Sequence, residues 1–206
     1  SQILDFSNFL KNRVEFDGMF ILSTCNRTDI YFDCCHINKQ FLDSVINFLF
    51  DFKKQKINKN CFNIFFKIDE VVGHLFKTSS GIDSLVTGEF EIIDQIKSSY
   101  NFSVSNNLLS SNLNRLIQKS LEVSKYVRSN TKINTGSTSV SSLTINKIAS
   151  EKNCTEKNIL IVGAGKMSKL SIKHLTSKKF KNIFITNRSK KSLNELSNKF
   201  KLKAID

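Results

Sequence analysis

Apolar positions change their period several times along the chain, and each change predicts an element. GMFILST (18–24) and TDIYFDC (28–34) are short, β-rich apolar runs separated by Cys25, Asn26 and Arg27, which predicts two strands joined by a tight polar turn. FLDSVINFLFDF (41–52) carries apolar residues at helical spacing and predicts an amphipathic helix. Further helices fit EVVGHLFKTSSG (70–81), FEIIDQIKSSYNFS (90–103) and LNRLIQKSLEVSKYVRS (113–129), the last with Leu113, Leu116, Ile117, Leu121 and Val127 on one side. The polar stretch SNTKINTGSTS (129–139) interrupts the periodicity and reads as a linker.

Beyond it the grammar differs. VSSLTINKIAS (140–150) resumes as a helix, and NILIV then forms a short apolar strand followed by a glycine turn and a helix. NIFITNRS (182–189) is a second strand, KKSLNELSNKF (190–200) a second helix, and LKAID the start of a third strand. The expected fold class is α/β for this region, after an α+β region. The expected domains are 1–133 and 134–206.

Composition adds limits. With 40% hydrophobic and 24% charged residues among 206, a core can form. No apolar run approaches the roughly 20 residues that span a bilayer. The start, SQILDFSNFLKNRVEF, carries acids and no apolar leader core, so the expectation is a soluble, cytoplasmic protein with no membrane partner, a plastid stroma being the alternative. Five scattered cysteines without a C-x-x-C pair argue against a disulfide framework or a metal site. A net charge of +13 permits a polyanionic partner. Abundant Lys, Asn, Ile and Phe without Pro or Trp is also what AT-rich codons produce, so the charge alone leaves nucleic-acid binding open.

Two places carry candidate chemistry. Gly163, Ala164, Gly165, Lys166, Met167 and Ser168 follow a strand and open a helix. There Gly163 permits a tight turn, Gly165 removes a side chain where a pyrophosphate approaches, and the helix N-terminus supplies free N–H groups. At the end of the next strand an NAD site usually holds an acid. This chain has Asn187, Arg188 and Ser189, a guanidinium and a hydroxyl suited to the 2′-phosphate of NADP. The second place is Cys25, flanked by Thr24, Asn26, Arg27 and Thr28. Such polar neighbours are unusual for a packing cysteine and suit an activated thiol. Local chemistry favours NADP at the first place and leaves the role of the thiol open, as it does for His74 and for Asp83, Ser84, Gly88 and Glu89, read as lying at a helix start.

ILSTCNRTDIY (21–31), HLFKTSSGIDSLVTGE (74–89), IDQIK (93–97), GSTSVSSL (136–143) and ILIVGAGKMS (159–168) followed by NRS together resemble the glutamyl-tRNA reductase family, in its motif order and over essentially the whole chain. The resemblance implies a catalytic domain with a ferredoxin-like core, followed by a partial Rossmann-type NADPH domain. It implies that Cys25 takes glutamate from glutamyl-tRNA(Glu) as a thioester, which NADPH reduces to glutamate-1-semialdehyde for tetrapyrrole (porphyrin, 5-aminolevulinate) biosynthesis. By the same resemblance His74 attends the reacting carbonyl, Arg27 holds the glutamate carboxylate, and Thr24, Ser84 and Glu89 line its pocket. Glu91 stands where the family has a glutamine near the substrate. Phe90 replaces a helix-starting proline, Asp94 a glycine, and Lys77 a common arginine.

The family pattern also places an N-terminal strand ahead of Ser1, and further NADPH-domain strands and a helical dimerisation domain after Asp206. The 206 residues alone are therefore expected to be poorly active, and the full-length protein a homodimer with glutamate-1-semialdehyde aminomutase as a partner. Two other readings share these residues: an NADP oxidoreductase like shikimate dehydrogenase, which has no use for the LSTCNR turn, and a tRNA-binding relative without chemistry.

Overall fold

β1 (Gly18–Ser23) is apolar at consecutive positions because both of its faces are covered. The computed structural model describes residues 2–36, 38–54, 59–133 and 139–205, which group into two units, Ser1–Ile133 and Asn134–Asp206. In the first, β1 pairs antiparallel with β2 (Thr28–Asp33), with Gly18 opposite Asp33 and Ser23 opposite Thr28. Side chains alternate across a strand, so Phe20, Leu22 and Tyr31 enter one core and Met19 and Ile21 another.

The first core is closed by Leu75 of α3 (Ile68–Ser80), Ile92 and Ile96 of α4 (Glu91–Ser105), and Leu113 and Ile117 of α5 (Ser111–Asn130). The second is closed by Phe6 and Leu10 of α1 (Gln2–Lys11) and by the aromatic face of α2 (Lys39–Lys53). Each fully buried Phe or Leu contributes about 1.5–3 kcal/mol relative to exposure. α1 covers an N-terminal stretch for which the sequence suggested no element. Asn38 starts α2 by accepting the Phe41 N–H at 2.8 Å, two residues ahead of the apolar periodicity.

α3 and α5 meet through small side chains. Thr78, Ser79 and Ser80 on one helix and Ser120 and Ser124 on the other are all buried. Ser79 Oγ donates to the Ser120 carbonyl at 3.0 Å, and Ser124 Oγ donates to the Ser79 carbonyl at 2.7 Å. The buried stripe of α5 is therefore Leu113, Ile117, Ser120 and Ser124. The larger residues Leu116 and Leu121 pack only partly against the core, which departs from the apolar stripe expected from the sequence.

The second unit is a parallel sheet in the order β3 (Asn158–Val162), β4 (Asn182–Thr186), β5 (Lys203–Ala204). α6 (Val140–Ala149), α7 (Lys166–Ser177) and α8 (Lys190–Phe200) complete it. Ile159 and Ile161 of β3 and Ile183 and Ile185 of β4 face the helices and pack with Ile145, Ile172, Leu175, Leu193 and Leu196. On the other face Leu160 and Val162 are 55% and 77% exposed. Among the described residues, no helix is long and apolar enough to cross a membrane.

Candidate active site and nucleotide turn

Four residues, Thr24 to Arg27, turn the hairpin. The Thr24 N–H donates to the Arg27 carbonyl at 2.9 Å, and Thr24 Oγ1 accepts the N–H groups of Asn26 and Arg27, both at 3.1 Å. Thr24 thus fixes the loop from within, and Cys25 stands exposed at its tip.

Along β2 the residues at alternate positions share a face; Asp29 and Tyr31 occupy one, next to Arg27 of the turn. α3 meets that face with residues four apart, His74 and Thr78. Arg27 donates from Nη1 to Thr78 Oγ1 at 2.5 Å and from Nη2 to the Asp83 carbonyl at 3.0 Å. Its Nη1 also lies 3.6 Å from Asp29 Oδ2. The same Asp29 oxygen is 3.2 Å from His74 Nε2. Phe65 stacks on the imidazole with ring centroids 5.0 Å apart. An open cleft of about 400 Å³ is lined by Phe65, His74, Lys77 and Asp83, with the first-turn acids of α3, Asp69 and Glu70.

Tyr31 is 7% exposed, and its hydroxyl has no hydrogen-bond partner among the described residues. Burial pushes its phenol well above the ordinary range; Asp29 adds to that and Arg27 opposes it.

The segment 81–90 between α3 and α4 is a turn, and α4 begins at Glu91. Ser84 therefore sits in a turn and not at a helix start, whereas Glu89 immediately precedes Phe90, the N-cap of α4. Arg128 of α5 gathers this segment, donating to the carbonyls of Gly88 at 2.9 Å and Glu89 at 2.7 Å. Burial lowers the Arg128 pKa, with Glu89 opposing. Its guanidinium lies 4.6 Å from the centroid of the Phe90 ring, so the residue in the proline's place packs against a cation next to the start of α4. Glu91 lies in the first turn of α4, the end that favours a carboxylate.

In the second unit the chain leaves β3 at Gly163, whose φ of 104° is a left-handed conformation that side chains resist. Its N–H donates to the Thr186 carbonyl at 2.8 Å, tying the turn to the end of β4. Gly165 caps α7 without a side-chain hydrogen bond, and a Cβ there would meet nothing within 4 Å. A helix N-terminus with open space in front of it fits a pyrophosphate. Asn187 Nδ2 donates to the Ser189 carbonyl at 3.0 Å, while Arg188 and Ser189 are exposed at the carboxyl end of β4. Lys166 and Met167 are exposed in the first turn of α7, and Ala164 and Ser168 are half-buried.

Residues 2–131 match the family described as glutamyl-tRNAGlu reductase, N-terminal domain. The chain belongs to the glutamyl-tRNA reductase family. Residues 144–206 match shikimate / quinate 5-dehydrogenase, a likeness confined to the second unit. Among curated relatives, the glutamyl-tRNA reductase of Thermodesulfovibrio yellowstonii is 33% identical over 201 residues, covering 93% of this chain and 47% of the relative. That of Trichormus variabilis is 36% identical over 187 residues, covering 89% and 43%. The chain thus spans a little under half the length of these relatives. The solved glutamyl-tRNA reductase from Methanopyrus kandleri shares the fold, with a TM-score of 0.63, 23% identity, and coverage of 98% of this chain and 48% of that one.

Of the residues singled out from this family member's sequence, the structure draws Arg27 and His74 together through Asp29. Thr24 serves the turn, and Ser84 and Glu89 lie in the segment that Arg27 and Arg128 hold from either side. The sequence reading passed over Asp29, Tyr31, Phe65, Thr78 and Arg128. The period of two from Arg27 through Asp29 to Tyr31 was available as a signal for the first two. Arg128 has no local signal, because its partners are carbonyls about forty residues away. Residues 136–138 of the GSTSVSSL motif lie outside the described residues.

Proposed function

We propose that the protein of which this chain forms part reduces glutamyl-tRNA(Glu) to glutamate-1-semialdehyde with NADPH, for tetrapyrrole biosynthesis. The observation that carries the reading is an exposed thiol on a hydrogen-bonded hairpin turn that also supplies a guanidinium, with a carboxylate of β2 next to it that engages an imidazole of α3.

The thiolate of Cys25 attacks the ester carbonyl of the glutamyl group. A C–S bond forms, the C–O bond to the tRNA breaks, and the ribose oxygen leaves as a hydroxyl after taking up a proton. His74, held by Asp29, is the group that polarises the carbonyl or carries that proton. Arg27 presents charge to the glutamate carboxylate from a guanidinium already anchored to Thr78 and Asp83, and Ser84, Glu89 and Glu91 belong to the adjoining wall. A thioester is more electrophilic than the original ester and its sulfur leaves readily. Bound NADPH supplies the hydride that turns it into an aldehyde. The turn from Gly163 to Ser168 would hold the pyrophosphate, and Asn187, Arg188 and Ser189 the 2′-phosphate.

The two-stranded sheet of the first unit belongs, in this reading, to a ferredoxin-like core. The full-length protein acts as a cytoplasmic or stromal homodimer that hands its aldehyde to an aminomutase. The likeness to shikimate dehydrogenase reflects a shared nucleotide unit and not a shared substrate.

The test is incubation of the full-length protein with labelled glutamyl-tRNA and no NADPH. A hydroxylamine-labile label on the wild-type protein, absent from Cys25→Ser, is the expected result. No adduct, or one that survives the substitution, overturns the reading.

A further inference from the structure

The positive charge of the chain is unevenly placed. Ser1–Ile133 holds sixteen Lys and Arg against fourteen Asp and Glu; Asn134–Asp206 holds fifteen against four. Codon bias acts on the whole gene and would load both units alike. Nearly all of the excess instead sits in the smaller unit, and all fifteen of its cations are exposed.

Topology concentrates part of this charge at one edge. β3, β4 and β5 are parallel, so their starts share one edge of the sheet, and α7 and α8 end there before their chains enter β4 and β5. Lys178 and Lys179 follow α7, and Lys181 precedes β4. Lys199 and Lys201 close α8, and Lys203 opens β5. The acids at this edge are Glu151, engaged by Lys157, and Glu156. Adjacent strands lie about 4.8 Å apart, so these lysines gather in a strip at the starts of β4 and β5. A single lysine in the last turn answers a helix dipole; six across two helix ends and two strand starts exceed that need. The glycine turn and Arg188 lie at the opposite, carboxyl edge, where nucleotides bind in such sheets, which leaves the strip outside the cofactor site.

We propose that this strip is an RNA-binding surface that grips the phosphate backbone of the tRNA whose glutamyl group is the substrate. The proposal rests on the function proposed above and adds where the RNA body is held. Lysines act as point charges toward phosphates without reading bases. A membrane-docking surface would also present apolar residues. Of the exposed large apolar residues of this unit, Val140, Leu143, Val162, Met167 and Ile205 lie away from the strand starts, and one, Leu160, shares a cross-strand row with Phe184 and Lys203.

The experiment measures binding of the whole chain to a fluorescent tRNA transcript between roughly 50 and 200 mM KCl. The triple variant Lys178→Glu/Lys181→Glu/Lys203→Glu is compared with its Gln counterpart and with Lys11→Glu/Lys39→Glu/Lys132→Glu, which changes the net charge of the chain equally. The strip variants should bind at least about tenfold more weakly and lose about two to three from the slope of log K against log salt. They should melt as the wild type does and still form the Cys25 adduct from glutamyl-adenosine, a substrate without an RNA body. Unchanged affinity and slope in the strip variants overturn the proposal. So does an equal loss in the control triple, or a loss confined to anionic vesicles or polyglutamate. Strip-dependent binding without any Cys25 adduct would refute the proposed reaction and leave the surface standing.

Discussion

In the first unit the groups of the site come from segments far apart in the chain: Arg27 in the hairpin turn and Asp29 on β2, Phe65 before a helix, His74 and Thr78 on it, and the Asp83 carbonyl beyond. In the second unit the groups proposed for the cofactor come from two adjacent strand ends, Gly163 to Ser168 after β3 and Asn187 to Ser189 after β4. The first arrangement depends on side chains held by other side chains, so its precision is that of the α3–β2 packing. The second depends on backbone conformation, which the sequence specifies locally through glycine. Their charges differ in the same sense. The first unit nearly balances its ions and pairs several of them, whereas the second displays its cations to solvent.

This contrast predicts that the first site fails when packing is disturbed at a distance. Ser124→Leu adds bulk where a hydroxyl now bonds the Ser79 carbonyl, and should cost about 3 kcal/mol through overpacking and a lost hydrogen bond. Denaturant unfolding gives the number, and an unchanged midpoint would show that the serine contacts between α3 and α5 are dispensable.

Within the site, Asp29→Asn should lower turnover by roughly 100-fold, at the low end of what a positioned acid–base group contributes. The loss should fall on kcat and not KM, with an altered pH profile and partial recovery in Asp29→Glu. Equal loss in kcat and KM, without recovery, would assign Asp29 a merely structural role.

The second site should fail without any loss of fold. Gly165→Val places its side chain in open space, so the melting temperature should hold while NADPH binding weakens about tenfold or more, close to 1.4 kcal/mol. Gly163→Val, at a φ of 104°, should instead lose about 1–2 kcal/mol of stability. Calorimetric titration beside thermal melts separates the two.

The smallest effect is expected at Tyr31. Its hydroxyl has no partner among the described residues, so Tyr31→Phe should change stability by within about 1 kcal/mol, in the stabilising direction. Because burial raises the phenol pKa in the fold, the neutral phenol contributes stability that is complete below the ordinary tyrosine value of about 10 and lost as pH rises above it. Unfolding midpoints measured across that range should fall less in Tyr31→Phe than in the wild type. A parallel decline would show that Tyr31 is not the group responsible.

Much of the secondary structure was legible because periodicity is a local property. The hairpin, α2, and the alternation of strands and helices in the second unit all follow from runs of apolar residues and their turns. α1 escaped notice because its face is set by the Phe48–Phe52 side of α2, against which Phe6 and Phe9 pack. The serine stripe escaped for a related reason. Polar residues on a helix read as solvent-facing until a second backbone comes close enough to accept their hydrogen bonds.

From its sequence alone this chain declared its two-part organisation, a thiol in a polar hairpin turn, and a glycine turn with a basic strand end in place of an acid. Each of these is written in consecutive residues, and backbone sterics and strand or helix period act over only a few positions. Tertiary structure alone decided that Arg27 is anchored by Thr78 and Asp83, that Asp29 joins it to His74, that Arg128 draws in the turn before α4, and that the lysines of the second unit collect at one edge of its sheet. Those outcomes depend on which helix face meets which strand face, and on parallel strands starting side by side, conditions that exist only once distant segments have packed.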